Sequence, residues 1–125
     1  MLKKAAAVIV LGHGLIHLMG FVVQFQFAEI EGLSYSTSVL GGLIEVGTVG
    51  AQVIGIAWLV TAVVFIVAAV GLFLNMAWDR SALLGATLLS LPVTALGWPD
   101  SQFGVGVNIA ILVALLLTGR RQKAE

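Results

Sequence analysis

Long apolar stretches alternate with short polar or glycine-rich segments along the chain, and this pattern predicts membrane-spanning helices. The first stretch, residues 5–28, contains no charged side chain. As a helix it would be about 36 Å long, enough to cross a hydrocarbon core of about 30 Å with some tilt. The predicted spans are 5–28, 51–74, 81–97 and 103–119, with residues 29–50 forming an outer loop.

The amino-acid composition also indicates that the chain lies in a lipid bilayer. Hydrophobic residues make up 60% of the chain and charged residues 10%, whereas soluble domains have about 45–50% and about 25%. There are too few charged side chains to cover a water-exposed surface, so the apolar surplus is expected to face a lipid bilayer. The sequence therefore predicts an all-α, integral membrane four-helix bundle in a single domain, residues 1–125, with its first span retained rather than cleaved as a signal peptide.

Basic residues provide an independent test of the division into spans, which rests on hydropathy alone. With four spans, all six fall on one side of the membrane: Lys3, Lys4, Arg80, Arg120, Arg121 and Lys123. Basic loops remain in the cytoplasm. We therefore expect a multi-pass protein of the cell membrane with both termini cytoplasmic, and with the outer loop and Asp100 outside.

Several function classes lose support. The net charge is zero, which gives no basic face for nucleic acid, and there is no cysteine for a disulfide or a thiolate metal site. We find no phosphate-binding glycine loop and no Ser-His-Asp set. The chain is therefore not expected to be an enzyme on its own.

The first span carries one polar stripe. At about 100° per residue, His13, His17, Gly20 and Gln24 point in nearly the same direction, and Glu31 joins them if the helix continues that far. Ionisable side chains at membrane depth normally face the bundle interior or a water-filled cavity, so this stripe is the candidate functional site.

Three interpretations of the stripe remain open. The histidines can hydrogen-bond to neighbouring helices, which is the commonest use of polar groups inside membrane bundles. Alternatively, the stripe of His13, His17, Gln24 and Glu31 can form a path for protons or a small solute. The candidate hydrogen-bond partners of the histidines are Thr61, Thr87, Ser90, Thr94 and Asn108. Asn108 is also a candidate to line the outer mouth of such a path.

The third interpretation is ligation. His13 and His17 are spaced to place two imidazoles on one metal ion, and further ligands would come from the outer-side candidates Glu31, Glu45 or Asp100. Asp100 is disfavoured as a ligand, because it is predicted at the membrane surface whereas His13 lies below the middle of the membrane. A haem would need a ligand other than histidine, or a second copy of the chain, because one helix cannot supply both axial ligands. Neither cofactor is required by the sequence.

The first span and the outer loop also resemble a known family. Residues 12–21, GHGLIHLMGF, resemble the first-helix pattern of the DoxX-like proteins, small four-helix membrane proteins of bacteria and archaea, and the glycine-rich loop before Glu45 is similar too. His17 stands where that family has a basic residue. The resemblance implies a second helix that begins near Val39 and breaks around residues 47–50.

Some DoxX-like proteins are associated with membrane redox complexes. On this basis we expect a small accessory or structural membrane subunit of such a complex, working as a homo-oligomer or within a larger membrane assembly. The alternatives are a metal-binding or haem-binding membrane protein and a small transporter or proton path.

Overall fold

A computed structural model describes residues 1–124, with side chains as far as Arg120. The helices and strands of this part are four helices and one pair of two-residue strands, joined by loops. The elements in chain order are α1 (Leu2–Gln24), β1 (Ser38–Val39), β2 (Ile44–Glu45), α2 (Gly47–Phe73), α3 (Asp79–Leu96) and α4 (Gln102–Ala124).

Three of the four helices are long and apolar enough to cross a membrane. These are α1, α2 and the part of α4 from Gln102 to Arg120. The remaining helix, α3, has 18 residues and begins with Asp79 and Arg80, which lower its average hydropathy. Its helical structure continues through Pro92.

Helix α1 ends at Gln24 rather than at the predicted residue 28. The Phe27 amide donates to the carbonyl of Val22, and the Gln26 amide donates to that of Val23. Gln26 has a left-handed φ of 57°. This bond pattern is the Schellman motif, which terminates a helix. As a result, Glu31 lies beyond the helix in the outer loop and does not extend the polar stripe.

The outer loop contains a hairpin, defined by β1 and β2, in which Val39 pairs with Ile44. Its turn needs Gly41 and Gly42, whose φ angles are 66° and 94°. The Leu40 amide donates to the Leu96 carbonyl at 2.9 Å, which fixes the hairpin over the end of α3. Because α2 begins at Gly47, after the hairpin, Val39 and Glu45 are in strands and not in the second helix.

The helices pack as sequential neighbours, α1 on α2, α2 on α3 and α3 on α4. Helices α1 and α2 approach closely at two glycines. A Cβ on Gly14 would lie 2.8 Å from the Cβ of Phe65, and a Cβ on Gly20 would overlap the ring of Trp58. One apolar cluster fills one half of the bundle: Ala7, Val10, Phe65, Ala68, Ala69, Leu72, Leu83 and Ala86.

Polar contacts hold the end of the bundle that we call the basic end, where α1 and α3 begin. The Lys3 ammonium lies 2.7 Å from the carboxylate of Asp79, a residue only 3% exposed. Arg80 donates to the Thr118 hydroxyl and to the Leu115 carbonyl, both at 2.6 Å. These contacts bring Lys3 and Arg80 to the same end as the last turns of α4. Arg121 and Lys123 follow in that helix, and their side chains lie outside the described part.

On α3 and α4, many exposed side chains are apolar and several buried ones are polar. Leu88, on α3, is 55% exposed and Ile109, on α4, is 52% exposed, while Thr87, Ser90 and Asn108 on the same helices are fully buried. Exposed apolar side chains beside buried polar ones indicate apolar surroundings, as do the three helices that are long and apolar enough to cross a membrane.

Candidate functional site

The histidines of α1 face the interior, as the stripe predicts. His17 is 1% exposed and His13 is 6% exposed. The Nδ1 atom of His17 lies 2.8 Å from the carbonyl oxygen of His13, one turn earlier, and its Nε2 lies 2.6 Å from the hydroxyl of Ser90 on α3. A carbonyl can only accept, so Nδ1 donates and Nε2 is left to accept from Ser90.

Asn108, on α4, completes the arrangement. Its Oδ1 lies 3.0 Å from Nε2 of His13, and its Nδ2 donates to the Ser90 hydroxyl at 2.7 Å. The donors and acceptors therefore form a closed circuit that we call the histidine circuit: His13 to Asn108, Asn108 to Ser90, Ser90 to His17, and His17 to the backbone of His13. Every bond has one donor and one acceptor when both imidazoles are neutral.

The circuit joins three helices, and α2 supplies its aromatic wall. The ring of Phe65 lies 4.9 Å from that of His13 and 5.2 Å from that of His17, measured between ring centroids. The Trp58 ring lies 5.1 Å from the His17 ring. All four helices thus meet at the two histidines, which makes this the point where the bundle is most interconnected.

The hydroxyls that the sequence offered as partners divide into two groups. Ser90 contacts His17 directly, and Thr94 contacts Asn108 at 3.3 Å. Thr61 and Thr87 instead donate to the carbonyls of Ala57 and Leu83 within their own helices. The sequence offers all of them as candidate partners, but only the three-dimensional packing selects which hydroxyl lies at the depth of the histidines.

For a metal, the two imidazoles are close, with 4.7 Å between ring centroids. The circuit, however, already uses both nitrogens of His17, so a metal bound by both imidazoles would have to break the His17 bond to Ser90 or to the His13 carbonyl. Among the described residues there is no group of three or more His, Cys, Asp or Glu able to hold a metal ion. Ligation by His13 and His17 therefore stays a prediction that would require rearrangement.

Two adjacent cavities lead away from the circuit toward the hairpin. The histidine cavity, about 100 Å³, is bounded by His13, His17, Gly20, Trp58, Thr94 and Asp100, among others. The hairpin pocket, about 340 Å³, is bounded by Gln24, Ser36, Ser38, Trp58, Trp98 and Asp100, among others. Since Trp58 and Asp100 line both, the cavities are neighbours. On the other side of the circuit, the apolar cluster lies between the histidines and the basic end. A proton path through the bundle would have to cross this cluster.

The remaining predicted site residues lie at the hairpin end. Gln24, the last residue of α1, lines the hairpin pocket, and its Oε1 is buried without a hydrogen-bond partner in the described part of the chain. Asp100 accepts a long hydrogen bond of 3.4 Å from the Ser34 amide. Glu31 is exposed and lines a separate surface pocket, while Glu45 accepts from the Gly47 amide at 3.1 Å. None of the three carboxylates contacts the histidines.

Sequence reasoning missed two features. The predicted spans leave Asp79 in the connection between 51–74 and 81–97, whereas Asp79 begins α3, is buried and pairs with Lys3. An acidic residue at the start of an apolar stretch was the available signal. Sequence reasoning also gave no reason to place Trp58 at a cavity, although Trp58 lines both the histidine cavity and the hairpin pocket. Nothing in the local sequence indicates that position, which depends on the hairpin folding back over α3.

Comparison with known proteins gives no relative from which to transfer a function. No protein family matches the chain, and no curated protein or solved structure is significantly similar to it.

Proposed function

We propose that this chain is a small accessory or structural subunit of a larger membrane assembly, with four transmembrane helices in the cell membrane and both termini in the cytoplasm. The observation that carries the proposal is the histidine circuit. Its polar groups satisfy one another across α1, α3 and α4, as expected of groups that fix how helices pack. The charges support the orientation, because Lys3 and Arg80 share one end of the bundle.

A subunit role is further supported by α4, which is the least enclosed helix. Phe103 is 78% exposed and Leu116 is 65% exposed, and α4 packs mainly on α3. This face has to be covered by lipid or by another membrane protein. The first-helix resemblance to DoxX-like proteins makes a redox complex the first assembly to test.

The test is blue-native electrophoresis of source membranes solubilised in a mild detergent. We expect the 13.0 kDa chain to migrate in an assembly that also contains a redox subunit. Leu116→Trp on α4 should release the chain from the assembly, whereas Val60→Trp, on an exposed face of α2, serves as the matched control. The proposal fails if the native chain migrates only by itself under these conditions.

The alternative function, metal binding by His13 and His17, predicts a different result. If His13 and His17 ligate a metal, elemental analysis of the purified protein gives about one metal per chain, and His13→Ala abolishes it. A haem would instead give a Soret band. The structural role predicts that the parent protein purifies metal-free and colourless, like the His13→Ala variant.

A further inference from the structure

The hairpin pocket has the size and the position of a ligand site. Its volume of about 340 Å³ lies at the lower end of the range for small-molecule pockets, about 300–1,000 Å³. The hairpin covers one side of it, and exposed residues, including Trp98 and Asp100, form its mouth. The circuit and the apolar cluster do not use this space, and nothing in the proposed structural role requires it.

The charge around the pocket is negative and uncompensated. None of the six basic residues occurs in residues 25–46 or 97–101, which form this end of the bundle. Among the described side chains, the ion pair found is that of Lys3 with Asp79, at the opposite end. Asp100 therefore has no cationic partner here, and Glu29 and Glu31 line the surface pocket next to it, which shares Ser34 with the hairpin pocket.

The pocket also has an unused hydrogen-bonding group. Oε1 of Gln24 is buried and accepts no hydrogen bond from any described residue, which is a costly state for a polar atom. A donor on a bound molecule would satisfy it. The Ser36 and Ser38 hydroxyls, which hydrogen-bond each other at 2.9 Å, line the same pocket but do not contact this oxygen.

The walls distinguish between kinds of cation. Two indole rings, those of Trp58 and Trp98, line the pocket, and aromatic faces attract organic ammonium groups. A divalent metal ion would instead need several oxygen ligands at once. The pocket lining offers one carboxylate, that of Asp100, and no cluster of three metal-ligating side chains is found in the described part of the chain.

We propose that the hairpin pocket binds a small organic ammonium group, with Asp100 as its counter-charge, the Gln24 amide as its hydrogen-bond acceptor, and Trp58 and Trp98 as its aromatic walls. Two sources present this chemistry: the ethanolamine headgroup of a phospholipid, and a free amine on the outer side. Both would enter through the same mouth.

The probe is ethanolamine, and ethylene glycol is its neutral counterpart of nearly equal size. We expect purified protein in a neutral detergent to give a saturable calorimetric and tryptophan-fluorescence response to ethanolamine and none to ethylene glycol. Asp100→Asn should weaken binding by at least about tenfold, because it removes the charge while keeping the shape. Glu45→Gln, an exposed carboxylate outside the pocket, should leave the affinity unchanged.

Gln24→Leu gives a second, independent variant if Asp100→Asn does not fold, and it should also weaken ethanolamine binding. Folding of each variant is checked by circular dichroism and gel filtration. The proposal is overturned if ethylene glycol binds as well as ethanolamine, if a folded Asp100→Asn or Gln24→Leu variant binds like the parent, or if the parent gives no saturable response.

Nanodiscs separate the two sources. In phosphatidylglycerol discs the pocket is open, and ethanolamine should bind as in detergent. If replacing that lipid with phosphatidylethanolamine abolishes the response, the lipid headgroup occupies the pocket. If the response persists unchanged, the ligand is a free amine. Absence of binding in phosphatidylglycerol discs as well as in detergent contradicts the site itself.

Discussion

At the scale of single residues, Ser90 is the most consequential position of the histidine circuit. Its hydroxyl donates to His17 and accepts from Asn108, so one oxygen atom connects α1, α3 and α4. Ser90 is fully buried, so bulk solvent does not reach its hydroxyl. Removing this oxygen leaves the Nε2 of His17 and one amide hydrogen of Asn108 without a partner in a low-dielectric interior, where such a loss is expensive.

We expect Ser90→Ala to lower the free energy of unfolding by about 1–3 kcal/mol, because it leaves the Nε2 of His17 and an Asn108 amide hydrogen unsatisfied. The matched control is Thr87→Val, which removes a fully buried hydroxyl bonded only to a carbonyl of its own helix. It should cost less than about 0.5 kcal/mol. The measurement is unfolding in mixed micelles with increasing denaturing detergent. Equal effects of the two variants would show that the circuit is not a stabilising unit.

Some residues of the candidate site could be predicted from the sequence, and others could not. Helical periodicity places His13 and His17 on the interior face, because the angle between successive residues is fixed by the helix itself. The same periodicity cannot identify Ser90 as the partner of His17, because relative depth depends on where α3 starts. Asp100 lies beside the hairpin pocket only because the hairpin is fixed over α3, a contact between segments distant in sequence.

At the scale of elements, the contact between α1 and α2 depends on glycines that permit close approach. Gly14 faces Phe65 and Gly20 faces Trp58, whereas Gly12, on the same helix, has nothing within 4 Å of an added Cβ. The three glycines are indistinguishable by residue type. Their different surroundings therefore separate the effect of packing from that of helix propensity.

Gly14→Ala should destabilise the protein, because its Cβ would lie 2.8 Å from the Cβ of Phe65 and only a shift of the helices can relieve that contact. We expect a loss of about 1–3 kcal/mol in the same mixed-micelle assay, a typical cost of overpacking. Gly12→Ala is the control and should be neutral or stabilise by up to about 1 kcal/mol through helix propensity. If Gly14→Ala behaves like Gly12→Ala, α1 and α2 do not pack as closely as described.

The number of helices follows from hydropathy, but their ends do not. The sequence predicts four helices, and four are present in the described part of the chain. It misplaces the end of α1 because Phe25 and Phe27 are as apolar as the helix before them, and the left-handed Gln26 that ends it has no marker such as glycine. The start of α2 is similarly hidden by the glycines of the outer loop, which belong partly to a hairpin and partly to the helix.

At the scale of the whole molecule, the two ends differ in chemistry. The basic end is closed by the Lys3–Asp79 pair, the Arg80 contacts and the apolar cluster between them and the histidines. The hairpin end carries acidic residues and two cavities. The apolar cluster separates these two cavities from the basic end, an arrangement that fits the binding site proposed above better than a complete path across the membrane.

The central claim is that all four helices, including the shorter α3, cross the membrane with the basic end in the cytoplasm. Because the chain contains no cysteine, each introduced cysteine reports on one position alone. The informative positions are Leu2, the first residue of α1; Leu43, in the hairpin; Met76, between α2 and α3; and Gln102, the first residue of α4.

The deciding measurement is labelling of these four single-cysteine variants in intact cells with a membrane-impermeant maleimide. The account predicts that Leu43→Cys and Gln102→Cys react at once, while Leu2→Cys and Met76→Cys react only after the cells are permeabilised. Labelling of Met76→Cys and Gln102→Cys from the same side would show that α3 does not cross, and labelling of Leu2→Cys in intact cells would contradict the orientation.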